Sequence, residues 1–240
     1  SYAKEGAVIS ISMLASKVIS EPVVTIQSGG DPITDTVIYT ESTVNPGTGW
    51  TAVYTTAAGD TEGPVTFSIA FSDLAGNAGS PVTAGNRTMT FDKTAPTLSG
   101  VGITSSNSDS TLAKVDDVIT LTMTASEAIS EPEVTFQSGG AAIADTSITY
   151  VDTSAGSAGT AWTAAYTSAA GDTEGAVTYS IAFSDLAGNA GTAVTTGTGS
   201  VTFDKTAPTL TSVSVTSSSI AYSYAKEGAV ISISMLASKV

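Results

Sequence analysis

Ser68–Gly79 reads SIAFSDLAGNAG, and shortly after it Thr90–Pro96 reads TFDKTAP. Both stretches return 112 residues later, as Ser180–Gly191 and Thr202–Pro208. Ile69 and Phe71 alternate with Ser68, Ala70 and Ser72, the period of a strand with one buried face. In the loop that follows, Asp73 and Asn77 suit bonds to the local backbone, and Gly accepts a positive φ. A second strand ends at Phe91, and the chain leaves through Asp92–Pro96. That exit is stiff, because Pro96 fixes its own φ and biases Ala95 to an extended shape.

Working outward, residues 1–18 recur unchanged as residues 223–240, a shift of 222. The shift equals two unit lengths, 110 between Ile19 and Ile129 of the two ISEP motifs and 112 between Phe71 and Phe183. The simplest account is a periodic array that continues beyond both ends.

Strand signals fill each unit. Ile119, Leu121, Met123 and Ala125 alternate with threonines, as Ile9, Ile11, Met13 and Ala15 do with other residues earlier. Pro22 and Pro132 are barred from a central strand and mark turns. Trp162, Ala164 and Tyr166 alternate, matching Trp50, Ala52 and Tyr54. AAGDTEG, at 57–63 and 169–175, is a further turn, followed by Val177, Tyr179, Ile181 and Phe183 on one face. About seven short strands per unit with regular turn signals, and no 3.6-residue period of helical length, predict an all-β chain. The expected architecture is tandem immunoglobulin-like antiparallel β-sandwiches in an end-to-end array. Residues 1–93 read as such a domain without its first strand, 94–205 as a complete domain, and 206–240 as the first two strands of the next.

Composition narrows function. The net charge is −14, with 22 acids against 8 bases, so nucleic acid is not an expected partner. Absence of His and Cys removes the usual general base, the Ser–His–Asp arrangement, disulfides and the common zinc ligands. No enzymatic activity is expected. No run of eighteen apolar residues reads as a membrane span. The acidic excess suits divalent cations or plain solubility.

The loop Asp73-Leu-Ala-Gly-Asn77 with the exit Asp92–Pro96, and their copies at Asp185–Asn189 and Asp204–Pro208, resemble the bacterial Ig-like repeats of large surface adhesins and extracellular matrix proteins. The resemblance implies an extracellular or cell-surface stalk, and some members of that family bind calcium at junctions between modules. Strand parity gives that idea a location. In an alternating sandwich the ISEP and DLAGN loops lie at the crown, and the AAGDTEG turn and DK exit lie at the foot. The foot residues Asp60, Glu62 and Asp92 should then meet the crown residues Glu127, Glu131, Asp185 and Asn189 of the next unit. Converging oxygens are what Ca²⁺ takes, and no other cofactor is expected. The second junction offers Asp172, Glu174 and Asp204, but Glu127 is replaced by Lys17 in the first unit and Lys239 in the overlap.

The leading expectation is a structural segment of a long secreted or surface-attached fibre, with neighbouring identical repeats as partners and lateral or end-to-end self-assembly. Two alternatives remain open. One is an adhesive module binding glycan or protein through its loops. The other is a filament joined by strand complementation between separate chains.

Overall fold

The computed structural model describes residues 1–156, 158–219 and 224–238. The first group of strands is β1 (Tyr2–Ala3), β2 (Val8–Leu14), β3 (Val23–Ser28), β4 (Asp31–Pro32), β5 (Ile38–Glu41), β6 (Gly49–Thr55), β7 (Gly63–Ala70) and β8 (Met89–Phe91). The second is β9 (Leu98–Ser105), β10 (Leu112–Ala113), β11 (Val118–Ala125), β12 (Glu133–Ser138), β13 (Ala141–Ala142), β14 (Thr149–Asp152), β15 (Ala161–Thr167), β16 (Gly175–Ala182) and β17 (Val201–Phe203). Last come β18 (Leu210–Ser217) and β19 (Ile231–Ala237). The described count per unit exceeds the seven read from sequence because two-residue strands such as β4 and β13 carry too little alternation to be seen there.

In the second unit a sheet ordered β10-β17-β16-β12-β13 packs on a sheet ordered β14-β15-β11-β9. This is the order of an immunoglobulin-like sandwich. The chain is therefore an all-β tandem of such sandwiches. Alternation explains the layering: along β11, Ile119, Leu121, Met123 and Ala125 are buried while the threonines between them face outward. Phe136 of β12 meets Tyr166 of β15 across the two sheets, with ring centroids 4.8 Å apart. The edge strand β10 runs parallel to β17, pairing Leu112 with Thr202 and Ala113 with Phe203.

The first unit repeats this plan with one difference. Its larger sheet is β1-β8-β7-β3-β4, but its second sheet holds only β2-β6-β5. Nothing among the described residues stands beside β2 where β9 stands beside β11. At the other end of the chain, β18 and β19 form a two-stranded antiparallel sheet of their own.

Two loops are held by glycine. A Cβ on Gly191 would lie 2.2 Å from the Phe183 ring, and one on Gly79 the same distance from Phe71. Each DLAGN loop therefore closes flat onto the last core phenylalanine of its unit. That closure fixes where the crown meets the foot of the unit before it.

Candidate metal centre

The crown of the second unit is set by a local hydrogen-bond pattern. Asp185 Oδ1 accepts the amides of Ala187 and Asn189, both at 2.8 Å, and Asn189 Nδ2 donates to Asp185 Oδ2 at 2.7 Å. Asp185 is buried at 3% exposure, so its loop holds the carboxylate at a fixed place. Ile129 bridges to Asp185, which brings the neighbouring segment carrying Glu127 alongside.

The foot of the first unit is set by its exit. Glu62 Oε1 accepts the Lys93 amide at 2.6 Å and the Thr94 hydroxyl at 2.8 Å. Lys93 Nζ donates to the carbonyls of Ala58 and Asp60 at 2.6 and 2.8 Å, clamping the AAGDTEG turn. Lys205 repeats the clamp on Ala170 and Asp172 at 2.9 and 2.7 Å.

Foot and crown meet at three carboxylates. Single oxygens of Asp92, Glu127 and Asp185 all lie within 4.8 Å of one another. Two further bonds tie the units together: Asn189 Nδ2 donates to the Asp92 carbonyl at 2.9 Å, and Lys4 Nζ to the Gly188 carbonyl at 3.0 Å. Partial burial raises the Asp92 carboxyl above its ordinary value, and the charges of Asp185 and Glu62 add to this against the opposing Thr94 amide. Glu127 is raised likewise, first by burial and then by Asp92, Asp185 and Glu62. A proton or a cation placed among these oxygens relieves the repulsion. Hard oxygen donors from separate segments fit Ca²⁺, with Asp92, Glu127 and Asp185 as the carboxylates that would hold it.

The other residues named from sequence fall elsewhere. Asp60 turns into its own unit, accepting the Thr34 and Ala57 amides at 2.9 and 2.8 Å. Burial pushes its carboxyl up, but those hydrogen bonds outweigh burial and hold it below its ordinary value. Asp172 does the same with Ala144 and Ala169, at 2.7 and 2.9 Å. Both aspartates pin a turn to the sandwich, and neither belongs to the three-carboxylate cluster. Glu131 is exposed and outside the cluster, and Glu62 acts on it through charge. Asn189 contributes as a hydrogen-bond donor. At the second junction Glu174 accepts the Lys205 amide and the Thr206 hydroxyl at 2.8 and 2.7 Å, and Asp204 accepts the Thr206 amide at 3.0 Å. Lys239 lies outside the described residues.

Sequence reading missed Lys4 and Lys93. Lys93 had a signal in the unvaried DKTAP exit. Lys4 had none, because its acceptor is a backbone carbonyl 184 residues away.

The crown of the first unit is built differently. Lys17, in the position of Glu127, is ion-paired with Asp73. That hydrogen bond, joined by those of Asn77, holds the Asp73 carboxyl well below the usual carboxylate range.

The chain matches no protein-family model and no curated protein. Among solved structures it is similar to a chimeric titin Z1Z2–Z1Z2 tandem, at 13% identity and TM-score 0.28 over 86% of this chain and 95% of that one. It is also similar to the D00–D0 domains of intimin, at 16% identity and TM-score 0.30 over 85% and 95%. A third likeness is to the mouse nectin-like molecule 4 ectodomain, at 13% identity and TM-score 0.34 over 98% and 75%. The scores are low, and the fold assignment stands on the strand order.

Proposed function

We propose that this chain is a structural segment of a long extracellular or cell-surface fibre, built from stacked Ig-like repeats, in which a divalent cation stiffens the joint between the first and second units. The carrying observation is the convergence of Asp92 from the foot of one unit with Glu127 and Asp185 from the crown of the next. A cation there would bind both units at once, so binding and straightening of the joint would be one event. The exact return of residues 1–18 at 223–240 supports the array, since it is the signature of repetition at a two-unit period. The resemblance to repeats of bacterial surface adhesins and matrix proteins supports the extracellular setting. No described helix is long and apolar enough to cross a membrane.

Calorimetric titration of the full chain with Ca²⁺, paired with X-ray scattering, tests the joint. Saturable binding with a longer maximum dimension, reversed by EDTA, is the expected result. No heat and an unchanged scattering profile would overturn the metal. Electron microscopy of native material bears on the fibre itself, and dispersed particles without filaments would overturn that part.

A further inference from the structure

We propose that the open side of the first unit is a strand-acceptor groove, and that its occupant is Leu210–Ser217 of a second copy of this chain. Copies would then join head to tail by strand exchange. This deepens the fibre reading and rests on it for biological role, while its chemistry stands on the geometry below.

The groove, about 420 Å³, lies along the free edge of β2 and is mainly apolar. Among its lining residues are Ile11, Met13, Val65, Phe67, Phe71 and Met89. All six are half-buried, whereas their counterparts Leu121, Met123, Val177, Tyr179, Phe183 and Val201 are buried at 0–8% exposure. The two units differ here in β9, which covers that side of the second core with Val101 and Ile103, exposed at 6% and 3%. The groove therefore has the shape of an absent β9.

The chain carries a second strand of that kind. β18 is the counterpart of β9 at a shift of 112 residues, and its Val213 and Val215 are 59% and 63% exposed. It has no charged residue to resist burial against an apolar floor. Its pairing is also already specified. β18 pairs with β19, and residues 231–237 repeat residues 9–15 of the β2 segment. The observed register sets Val213 opposite Met235, Ser214 opposite Ser234 and Val215 opposite Ile233. Transferred to β2, the same register sets them opposite Met13, Ser12 and Ile11.

The far side of the groove fits as well. In the second unit β9 is also held by Thr198, whose carbonyl accepts the Ile103 amide at 3.0 Å and whose amide donates to the Val101 carbonyl at 2.8 Å. The counterpart of Thr198 is Asn86, which lines the groove. Exchange thus trades one ladder for another of the same sequence and adds the burial of two valines. The displaced β19 loses little cover, since its Ile231, Ile233 and Met235 are already 51–63% exposed. A second copy is the fitting donor because β18 follows the foot of the second unit, with that whole sandwich between it and the groove. Each copy would carry one acceptor at its front and one donor at its back, a heterologous contact that propagates.

The test uses the full chain, which has no native Cys. In the Ser12→Cys/Ser214→Cys double variant, oxidation should give a ladder of dimers, trimers and longer species that grows with protein concentration. Each single variant should stop at dimers. The off-register pair Ser10→Cys/Ser214→Cys should crosslink at least tenfold less. Val213→Asp/Val215→Asp, added to the first pair, should abolish the ladder, and being on an exposed hairpin it leaves both sandwiches folded. A synthetic peptide of residues 206–222 in excess should compete the ladder away. A crosslink confined to monomers, or a chain that stays monomeric in sedimentation at every concentration, would overturn the exchange. That failure leaves the fibre reading standing, because an array continuous in one polypeptide needs no exchange. Absence of filaments from native material would count against the fibre whatever the crosslinks show.

Discussion

Lys17 and Glu127 hold the same place at the crowns of two units whose DLAGN loops are identical, and they give those loops opposite characters. In the first unit an ammonium meets Asp73 and the loop's charge is answered within the unit. In the second, Glu127 adds a carboxylate beside Asp185, and the foot of the preceding unit adds Asp92. One residue decides whether a crown is self-contained or depends on something from outside. The same contrast appears along the sides. The second unit closes its core with β9, while the first leaves β2 with a free edge and a groove. A repeat can keep its fold and change its dependence on neighbours through a few positions at its ends and edge.

The largest expected effect contrasts two methionines. Met123 is 2% exposed under β9, and Met123→Ala should cost about 2–5 kcal/mol in denaturant unfolding of its unit. Met13 stands half-buried in the open groove, and Met13→Ala should cost less than half as much. Equal costs would mean that the groove is closed in solution.

The crowns can be exchanged next. Glu127→Lys should place an ammonium among Asp92 and Asp185 and abolish the Ca²⁺ response of the scattering profile, with thermal unfolding retained. Persistence of that response would remove Glu127 from the metal site.

Acid should then separate the crowns without mutation. Asp92 and Glu127 have carboxyls raised in the folded state, so the docked joint binds protons more readily than the separated units. In EDTA, the joint should tighten as pH falls from neutral toward the ordinary carboxylate range, and loosen as pH rises back through the raised values. Asp73 has the opposite sign. Its stabilising contribution is complete above the ordinary aspartate value and is lost only as pH falls below it toward the depressed folded value. NMR titration of side-chain carboxyls should show the two behaviours in one chain.

The smallest effect is a control. Gly76 and Gly188 have φ of +86° and +89°, and an alanine at either should cost about 1–2 kcal/mol. Similar costs at both would show that the loops are equivalent as backbone and differ only in charge.

Much of the fold was legible because period-2 alternation in segments such as Ile119–Ala125 reports directly which face is buried. The short edge strands β1 and β10 were not, since two residues hold no period. Parity of strands put Asp92, Glu127 and Asp185 at facing ends, a matter of topology that needs no side-chain detail. The inward turn of Asp60 and Asp172 was invisible for the converse reason. Thr34 and Ala144, whose amides they accept, lie 26 and 28 residues away with no motif to mark them.

The parallel pairing of β1 with β8, and of β10 with β17, also decides how each sandwich answers a pull. In each unit an early strand lies beside the last one, and because the two run the same way, tension on the chain ends draws them along each other. Tyr2 against Thr90 and Ala3 against Phe91 would be strained together, as would Leu112 against Thr202 and Ala113 against Phe203. The bonds are loaded side by side in shear and are not peeled one after another. Short as these strands are, their direction makes them the latch that a stretching force meets first.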